Sequence, residues 1–354
     1  MKFDVIIATY NRKDSLHTLV NQIHQCTQLP ENIIIVDSSN TENNNIKGQH
    51  LVNYIQSKHK NQAYQRYLGF LLSKNDILVY FDDDMRILDH KCFTKIISTY
   101  KNENIIGVQP NFSYENLFFD KKMPISKTRS LAKKNKFFHF FKTLSGNPDL
   151  NAGAFGFSGI RGSKPKNNET LEWFNGPVFS AKKKFLYNNF NFNLFTFYED
   201  KIGKSEDSVL GFTLSKFGEI VYIDELLFKH DDQNDSSYAV DFVSHSTRVA
   251  YSRLYLSFEY ARQSKISLVK AFLHFNLHIL GRITSMILNQ LIDFKLSRIH
   301  ILKGYFKGYI KALMDLKKLK NFDSGLNWNK EAVNEINLDI KTKKFQNKQT
   351  IIDE

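Results

Sequence analysis

The sequence has little cysteine and no long uncharged run. Its 354 residues include two cysteines, Cys26 and Cys92, which are far apart and lack the spacing of metal ligands. This argues against a disulfide framework and is typical of a protein in a reducing cytosol. No stretch of about twenty residues is free of charge, so a membrane-spanning helix is not expected. No signal peptide is expected either, because Met1 and Lys2 lead directly into an apolar run.

Acidic residues are scarce in two long segments, although the formal net charge of the whole chain is +13. Residues 121–142 contain eight Lys/Arg and no Asp/Glu, and residues 262–320 contain twelve Lys/Arg against two Asp. The remaining chain is balanced or acidic, which indicates that these two segments face charged partners. A non-catalytic basic protein that binds membrane or nucleic acid is therefore one alternative. No nucleic-acid partner is expected, because neither segment has an evident nucleic-acid motif.

Short apolar runs alternate with helical spacing through the first 230 residues. This alternation predicts an α/β fold with a mainly parallel, Rossmann-like sheet flanked by helices. The pattern fails between residues 111 and 170, where a long loop contains the first basic segment and a glycine-rich stretch. Strands are predicted at 3–8, 33–36, 51–55, 77–81, 105–108 and 220–223, and helices at 16–23, 62–72, 90–100 and 205–217.

Three consecutive carboxylates, Asp82, Asp83 and Asp84, directly follow the apolar run of residues 77–81. They are expected at the carboxyl end of a buried strand, where ligands bind in open α/β sheets. Carboxylates packed this closely repel one another unless a cation lies among them, and oxygen ligands suit Mg²⁺ or Mn²⁺. The alternative is a solvated acidic turn with no bound metal.

Two further polar clusters follow predicted strands, at residues 9–12 and at Asp37. Right-handed crossovers place the carboxyl ends of parallel strands at one edge of the sheet, so all three clusters are expected in one cleft. Such a cleft suits a nucleotide. A nucleotidyltransferase is a second enzymatic alternative, but it would need a glycine-rich phosphate loop, and residues 9–12 contain no glycine.

The C-terminal third has a different pattern. Residues 266–292 are long and apolar but interrupted by basic side chains, and residues 295–320 are rich in lysine. These features are typical of basic amphipathic helices that lie on an anionic membrane, although helices packed on the sheet with lysines in water would look the same. The predicted units are a catalytic domain at 1–235, a helical extension at 236–320 and a flexible polar tail at 321–354.

Four motifs together resemble the inverting glycosyltransferases of family 2, which have the GT-A fold. The motifs are Val5–Arg12, Ile35–Ser39, Phe81–Asp84 and Ser205–Gly211, in the order and spacing of that family. The C-terminal helices resemble, more weakly, those of bacterial enzymes that build surface polysaccharides.

The chain also departs from the family at three places. Ser38 replaces a second acidic residue, and Gln65–Gly69 keeps the Arg and Gly of an Ala-Arg-Asn-x-Gly stretch but not its Asn. The Gln-x-x-Arg-Trp element of processive synthases is absent from the sequence. A long-chain synthase is therefore not expected, and the identity of the donor sugar stays open.

The resemblance implies transfer of a sugar from a nucleotide-sugar donor to a hydroxyl of a saccharide or lipid-linked saccharide. It implies a metal ligand at Asp84, and at Asp82 a contact with metal or ribose, while Asp83 shapes the turn. Arg66 is expected either to contact the diphosphate or to pair with a carboxylate. The residues implied for base and ribose are Thr9, Tyr10, Arg12 and Asp37.

On the acceptor side the resemblance implies Asp207 as general base and Glu206 as a residue that orients the acceptor. The alternative is that both merely stabilise the first turn of a helix. His230 is expected to contact metal or phosphate, or else to be structural. Trp173, Asn175 and Gly176 are expected to line the acceptor site, with Trp173 either stacking on a sugar or lying in the core. The expected location is cytoplasmic, peripheral to the inner face of the cell membrane.

Overall fold

The computed structural model describes residues 1–114, 140, 150–200, 203–231, 241–323 and 327–353, with backbone alone for residues 342–353. The basic segment at 121–142 and its aromatic residues lie outside the described residues, apart from Phe140.

The N-terminal half forms parallel β-strands joined by helices. Strands β1 (Phe3–Thr9), β2 (Asn32–Asp37), β3 (Val52–Gln56) and β4 (Ile77–Asp82) lie in the order β3-β2-β1-β4. Helices α1 (Lys13–His24), α2 (Asn44–Lys47) and α3 (Gln62–Leu72) connect them. Every residue of β1 is buried, because helices cover both faces of the sheet. The carboxyl ends of β1, β2 and β4 therefore share one edge, as predicted.

The other half of the sheet is mixed. Helix α4 (Cys92–Thr99) follows β5 (Met85–Ile87) and precedes β6 (Ile105–Tyr114). Strands β7 (Phe155–Gly156) and β8 (Ile160–Arg161) pair with each other, apart from the main sheet. Strand β9 (Thr170–Leu171) joins the main sheet beside the long β11 (Glu219–His230). Strand β10 (Val178–Lys182) runs antiparallel between β4 and β6, and the main path is β3-β2-β1-β4-β10-β6-β11-β5.

Several of these strands differ from the predictions. No strand was predicted for β5, β7, β8, β9 or β10, and β6 extends well beyond the predicted 105–108. Strand β10 was not predicted because its buried positions include Ser180 and Ala181, which give no strong apolar signal. Strand β11 is much longer than the predicted 220–223, since its register shifts let it pass through the polar residues 224–225 and continue to His230. The predicted α/β class, a sheet flanked by helices, is confirmed.

The core has two layers, one on each face of the sheet. Because side chains alternate along a strand, Ile6 and Tyr80 pack on one face and Ile7 and Phe81 on the other. Both cysteines lie in the second layer as free thiols, with the Sγ atoms of Cys26 and Cys92 3.9 Å apart. Three short helices lie between β10 and β11 in the sequence: α5 (Lys183–Leu186), α6 (Phe192–Glu199) and α7 (Glu206–Leu214).

The C-terminal extension is a helical layer. It consists of α8 (Phe242–Gln263), α9 (Leu268–Ile292), α10 (Leu296–Met314) and α11 (Leu316–Lys320). Helices α8 and α10 approach closely because Gly304 and Gly308 face α8. A Cβ atom at Gly304 would lie 2.5 Å from the Val243 carbonyl oxygen, and one at Gly308 would lie 2.4 Å from that of Thr247. Among the described residues, one helix, α9, is long and apolar enough to cross a membrane by length and composition.

The last helix, α12 (Trp328–Asp353), occupies the segment where the sequence predicts a flexible tail. Trp328 is buried and its indole N–H donates to Thr196 Oγ1 at 3.0 Å. Glu335 is also buried and accepts from the Tyr64 hydroxyl at 2.6 Å. The start of this helix is therefore docked on α3 and α6. The Asn/Lys-rich composition hides the apolar stripe of Trp328, Ala332 and Ile336 at helical spacing.

Candidate active site

Two aspartates and one histidine meet at the edge of the sheet. Asp82 ends β4, and Asp84 leads into β5, which pairs antiparallel with β11 and so brings His230 opposite Met85. One potential ligand atom of each of the three side chains lies within 4.8 Å of those of the other two. The Nε2 atom of His230 is 3.2 Å from Asp84 Oδ1. The β5–β11 pairing thus joins residues that are far apart in the sequence.

Asp83 is not part of this group and bonds instead to residues at the end of β1 and just after it. It accepts a hydrogen bond from Thr9 Oγ1 at 2.7 Å and one from Arg12 Nη1 at 3.0 Å, and Arg12 also pairs with Asp84. Burial raises the pKa of Asp83 to about 7, an effect that Arg12 opposes and the Asp84 charge reinforces. Burial likewise raises the pKa of Asp82. Burial is therefore the main cause that disfavours the charged form of these two carboxyl groups.

Arg66 links the aspartates to the other side of the cleft. Its Nη2 donates to Asp82 Oδ1 at 2.6 Å and to the Gly176 carbonyl oxygen at 2.7 Å, and its Nη1 donates to Glu206 Oε1 at 2.6 Å. The side chain is almost fully buried. Burial lowers the pKa of Arg66, but Asp82 and Glu206 outweigh burial and raise it above the ordinary value. Of the two predicted roles for Arg66, the structure shows the ion pair with carboxylates.

Glu206 and Asp207 begin helix α7, where the helix dipole favours carboxylates. Glu206 accepts from the Tyr198 hydroxyl as well as from Arg66. Burial and the Asp207 charge raise the pKa of Glu206 to about 6. Asp207 is 9% exposed and lies against Gly176, where a Cβ atom would come within 3.3 Å of Asp207 Oδ2. The absence of a side chain at Gly176 therefore leaves space directly beside the Asp207 carboxylate.

The predicted nucleoside residues lie at the ends of β1 and β2. Thr9 and Asp37 are register partners on these parallel strands. Asp37 is buried and accepts from the Ser39 amide at 2.7 Å and from the Tyr54 hydroxyl at 2.8 Å. Tyr10 is 42% exposed, with Lys60 Nζ 4.8 Å from its ring centroid. The structure thus places a fixed carboxylate and an accessible aromatic ring on the same side of the aspartate cluster.

The predicted acceptor residues divide between core and surface. Trp173 is buried, with the Arg161 guanidinium 5.1 Å from its ring, so it lies in the core rather than on an open sugar site. Asn175 stays at the surface, where its Oδ1 accepts from Arg161 Nη1 at 3.1 Å. The backbone N–H of Asn175 donates to Gln109 Oε1 at 2.6 Å. These bonds fix the segment that carries Gly176.

Sequence reasoning missed two side chains of the network. Gln62 donates to Asp82 Oδ1 at 2.6 Å, and its position one helical turn before Arg66 was a usable signal. Tyr198 lies on α6, in a segment with no recognisable pattern, so nothing in the sequence pointed to its bond with Glu206.

Residues 4–164 match the family described as Glycosyl transferase family 2. The matched range contains Thr9, Arg66 and the three consecutive aspartates, and it ends before Asp207 and His230. The match supports the class of the protein, which is a glycosyltransferase, over the nucleotidyltransferase and the non-catalytic alternatives. Within that class, the match over residues 4–164 supports family 2.

Solved structures of glycosyltransferases are similar in fold at low identity. The mannosyltransferase PcManGT from Pyrobaculum calidifontis, in complex with GDP-Man and Mn²⁺, has a TM-score of 0.49 and 11% identity over 91% of this chain and 88% of that chain. S. aureus TarS 1-349 in complex with UDP-GlcNAc has a TM-score of 0.45 and 12% identity over 91% and 93%. Likenesses this distant carry no conclusion about substrate or mechanism. No curated protein matches the sequence.

Proposed function

We propose that the protein is a metal-dependent, inverting glycosyltransferase. It moves a sugar from a nucleotide-sugar donor to a hydroxyl of a saccharide or lipid-linked saccharide acceptor. The observation that supports this most is the Arg66 network, the ion pairs of Arg66 with Asp82 and Glu206. It connects the metal cluster, which is Asp82, Asp84 and His230, to the residue next to Asp207. A place for the departing diphosphate and a carboxylate for the acceptor hydroxyl thus belong to one connected site.

Asp82, Asp84 and His230 fit a divalent cation. Asp84 Oδ1 is buried, and its polar neighbour among the described residues is His230 Nε2 at 3.2 Å, as expected of an atom that shares a cation with that ring. Two carboxylates and an imidazole suit Mn²⁺ better than Mg²⁺, which prefers oxygen ligands alone. When bound, the cation would act as a Lewis acid on the diphosphate of the nucleotide-sugar donor.

The chain's own residues position the nucleoside. Each oxygen of Asp37 already accepts one hydrogen bond, from Ser39 or Tyr54, and keeps a second lone pair for a donor group of the base or ribose. Tyr10 provides an exposed ring beside it. Arg12 neutralises Asp83 and Asp84, which limits the repulsion between their carboxylates and the donor phosphates.

Asp207 serves as the general base. It takes the proton of the acceptor hydroxyl while the hydroxyl oxygen bonds to the anomeric carbon. The bond from that carbon to the diphosphate breaks with its electron pair, so one displacement inverts the anomeric configuration. Glu206 does not carry the proton in this scheme. Its bonds to Arg66 and Tyr198 hold the start of α7, and therefore Asp207, in place.

The outer faces of α9 and α10 support contact with an anionic membrane. Both helices expose apolar side chains at helical spacing. Exposed lysines accompany them, Lys270 on α9 and Lys303, Lys307 and Lys311 on α10, as is typical of an interfacial surface. This surface would bring the enzyme to the inner face of the membrane, where lipid-linked acceptors for surface polysaccharide assembly are found. The exposed apolar residues are Val269, Leu273, Leu277, Leu280, Ile287, Leu291 and Ile292 on α9 and Leu296, Ile299, Phe306, Ile310 and Met314 on α10.

The test is a panel of nucleotide sugars incubated with the full chain and Mn²⁺. The readout is the nucleoside diphosphate that is released. Slow hydrolysis of one or a few members, abolished by a chelator, is expected and would identify the donor without an acceptor. A folded protein that neither binds nor hydrolyses any member would refute the proposal.

A further inference from the structure

A group of four basic side chains, here called the basic cluster, lies beside Asp207. It consists of Arg161 on β8, Lys204 just before α7, and Arg248 and Arg253 on α8. None of the four belongs to the motifs that define the rest of the site. The cluster therefore requires its own explanation.

The hydrogen bonds of the three arginines go to neutral oxygens. Arg161 donates to the Asn175 amide oxygen, Arg248 to the Gly203 carbonyl at 3.1 Å, and Arg253 to the Gly159 carbonyl at 2.8 Å. In the part of the chain that the structure describes, none of these three arginines forms an ion pair with a carboxylate. Their bonds hold them in place but leave their positive charges unneutralised.

The four charges lie close enough to act on one another. The pKa of Lys204 falls to about 8 because of burial and the charges of Arg253 and Arg248, although Asp207 opposes the change. Burial, with Arg282 and Arg161 adding to it, lowers the pKa of Arg253 to about 10, although Tyr305 opposes the change. Keeping the three guanidinium charges together in a partly buried place costs free energy, which a bound anion would recover.

The position of the basic cluster assigns the anion to the acceptor. A general base must touch the hydroxyl that it deprotonates, so the space around Asp207 belongs to the acceptor molecule. Lys204 precedes Asp207 by three residues and lies within its electrostatic influence. The diphosphate of the nucleotide-sugar donor has a separate site at the metal cluster. A second anion at the basic cluster therefore comes from the other substrate.

We infer that the basic cluster is an anion subsite for the acceptor, and that the acceptor carries a phosphate near the hydroxyl that receives the sugar. This inference rests on the proposed function. Phosphate suits the cluster because its several oxygens can accept from guanidinium and ammonium groups that converge from β8, α7 and α8. The phosphate could belong to a soluble phosphorylated saccharide or to a lipid-linked one, since both present the same chemistry.

The first experiment measures binding of inorganic phosphate to the full chain by isothermal titration calorimetry. Lys204→Gln and Arg253→Gln should each weaken binding by about tenfold or more, the scale of one lost hydrogen bond to a charged group. Arg262→Gln is the matched control, because Arg262 lies on α8 but pairs with Glu259, away from the cluster. Its phosphate affinity should equal that of the unaltered protein.

Arg253→Lys separates charge from structure, since it keeps the charge that Arg253→Gln removes. If Arg253→Gln does not fold, Lys204→Gln and Arg253→Lys still decide the matter. Phosphate affinity that is too weak to measure in the unaltered protein, or equal in Lys204→Gln and Arg262→Gln, would overturn the inference. Failure of the proposed function would appear differently, as the absence of nucleotide-sugar hydrolysis in the unaltered protein.

Competition distinguishes the two sources of phosphate. Displacement of bound phosphate by glycerol 1-phosphate, but not by vesicles that contain polyisoprenyl phosphate, would indicate a soluble acceptor. Displacement by the vesicles, with vesicles of neutral lipid as control, would indicate a lipid-linked one. Displacement by neither would contradict a phosphate subsite.

Discussion

Replacing Arg66 by methionine should destabilise the protein strongly. The Arg66 side chain has 5% of its surface exposed and forms ion pairs of 2.6 Å with both Asp82 and Glu206. Methionine fills a similar volume but leaves two buried carboxylates without their cation. Removing one partner of a buried ion pair costs ~3–5 kcal/mol in the free energy of unfolding, so we expect a loss of at least that size for Arg66→Met.

The assay measures the free energy of unfolding by denaturant at pH 7.5 without metal. Arg66→Met is compared with the unaltered protein and with Lys2→Met as the control. Lys2 and Glu31 form an ion pair of 3.2 Å at the surface, with 73% and 46% of their side chains exposed. Breaking such an exposed pair should cost ~0–1 kcal/mol. A loss for Arg66→Met no larger than for Lys2→Met would refute the view that the Arg66 network holds the site together.

The pH dependence of this loss follows from Glu206. Its pKa in the folded protein is raised to about 6, above the ordinary value of 4.5, and removal of Arg66 should raise it further. A raised carboxyl pKa means that the folded state binds the proton more readily than the unfolded chain. The penalty in Arg66→Met is therefore full above that pKa and should shrink as the pH falls from 7.5 towards 5.5. Glu206→Gln in the same background should recover part of the loss at pH 7.5.

The other predictions concern metal, catalysis and membrane. Asp84→Ala should abolish metal-dependent nucleotide binding, measured by calorimetry with Mn²⁺, and unchanged binding would remove the metal cluster from the mechanism. Asp207→Asn should keep binding of the nucleotide-sugar donor but lower turnover by ~10²–10⁴ in a transfer assay, and retained turnover would assign the base elsewhere. Leu277→Glu with Leu280→Glu should reduce sedimentation with anionic vesicles, whereas equal sedimentation would leave α9 without a role at the membrane.

The site residues whose positions could be predicted from the sequence are those that directly follow a predicted strand. Asp82 to Asp84 lie at the end of β4, and the run of apolar residues before them predicted both the strand and its edge. Thr9 and Asp37 follow from the same rule for β1 and β2. These placements need only local pattern and the handedness of crossovers, so they are available without a structure.

The partners of these residues were less predictable, because they depend on contacts between distant segments. Arg66 could be predicted to meet either a phosphate or a carboxylate, and its ion pairs with Asp82 and Glu206 became evident only from the structure. Tyr198 had no local signal, and the Asn/Lys-rich composition of α12 hid the apolar stripe by which it docks. Trp173 was ambiguous for a similar reason, since burial of an aromatic ring depends on what covers it, here Arg161.

Helix α12 connects the C-terminal segment of the chain to α3, the helix that carries Arg66. Glu335 accepts hydrogen bonds from the Tyr64 hydroxyl and, at 2.9 Å, from the Lys58 amide. Tyr64 stands two residues before Arg66 on the same helix, α3. Shortening the chain before residue 327, an obvious choice for an expression plasmid on grounds of composition, would strip α3 of its outer support. An inactive truncated protein would then report on lost anchoring of α3, not on a missing catalytic group.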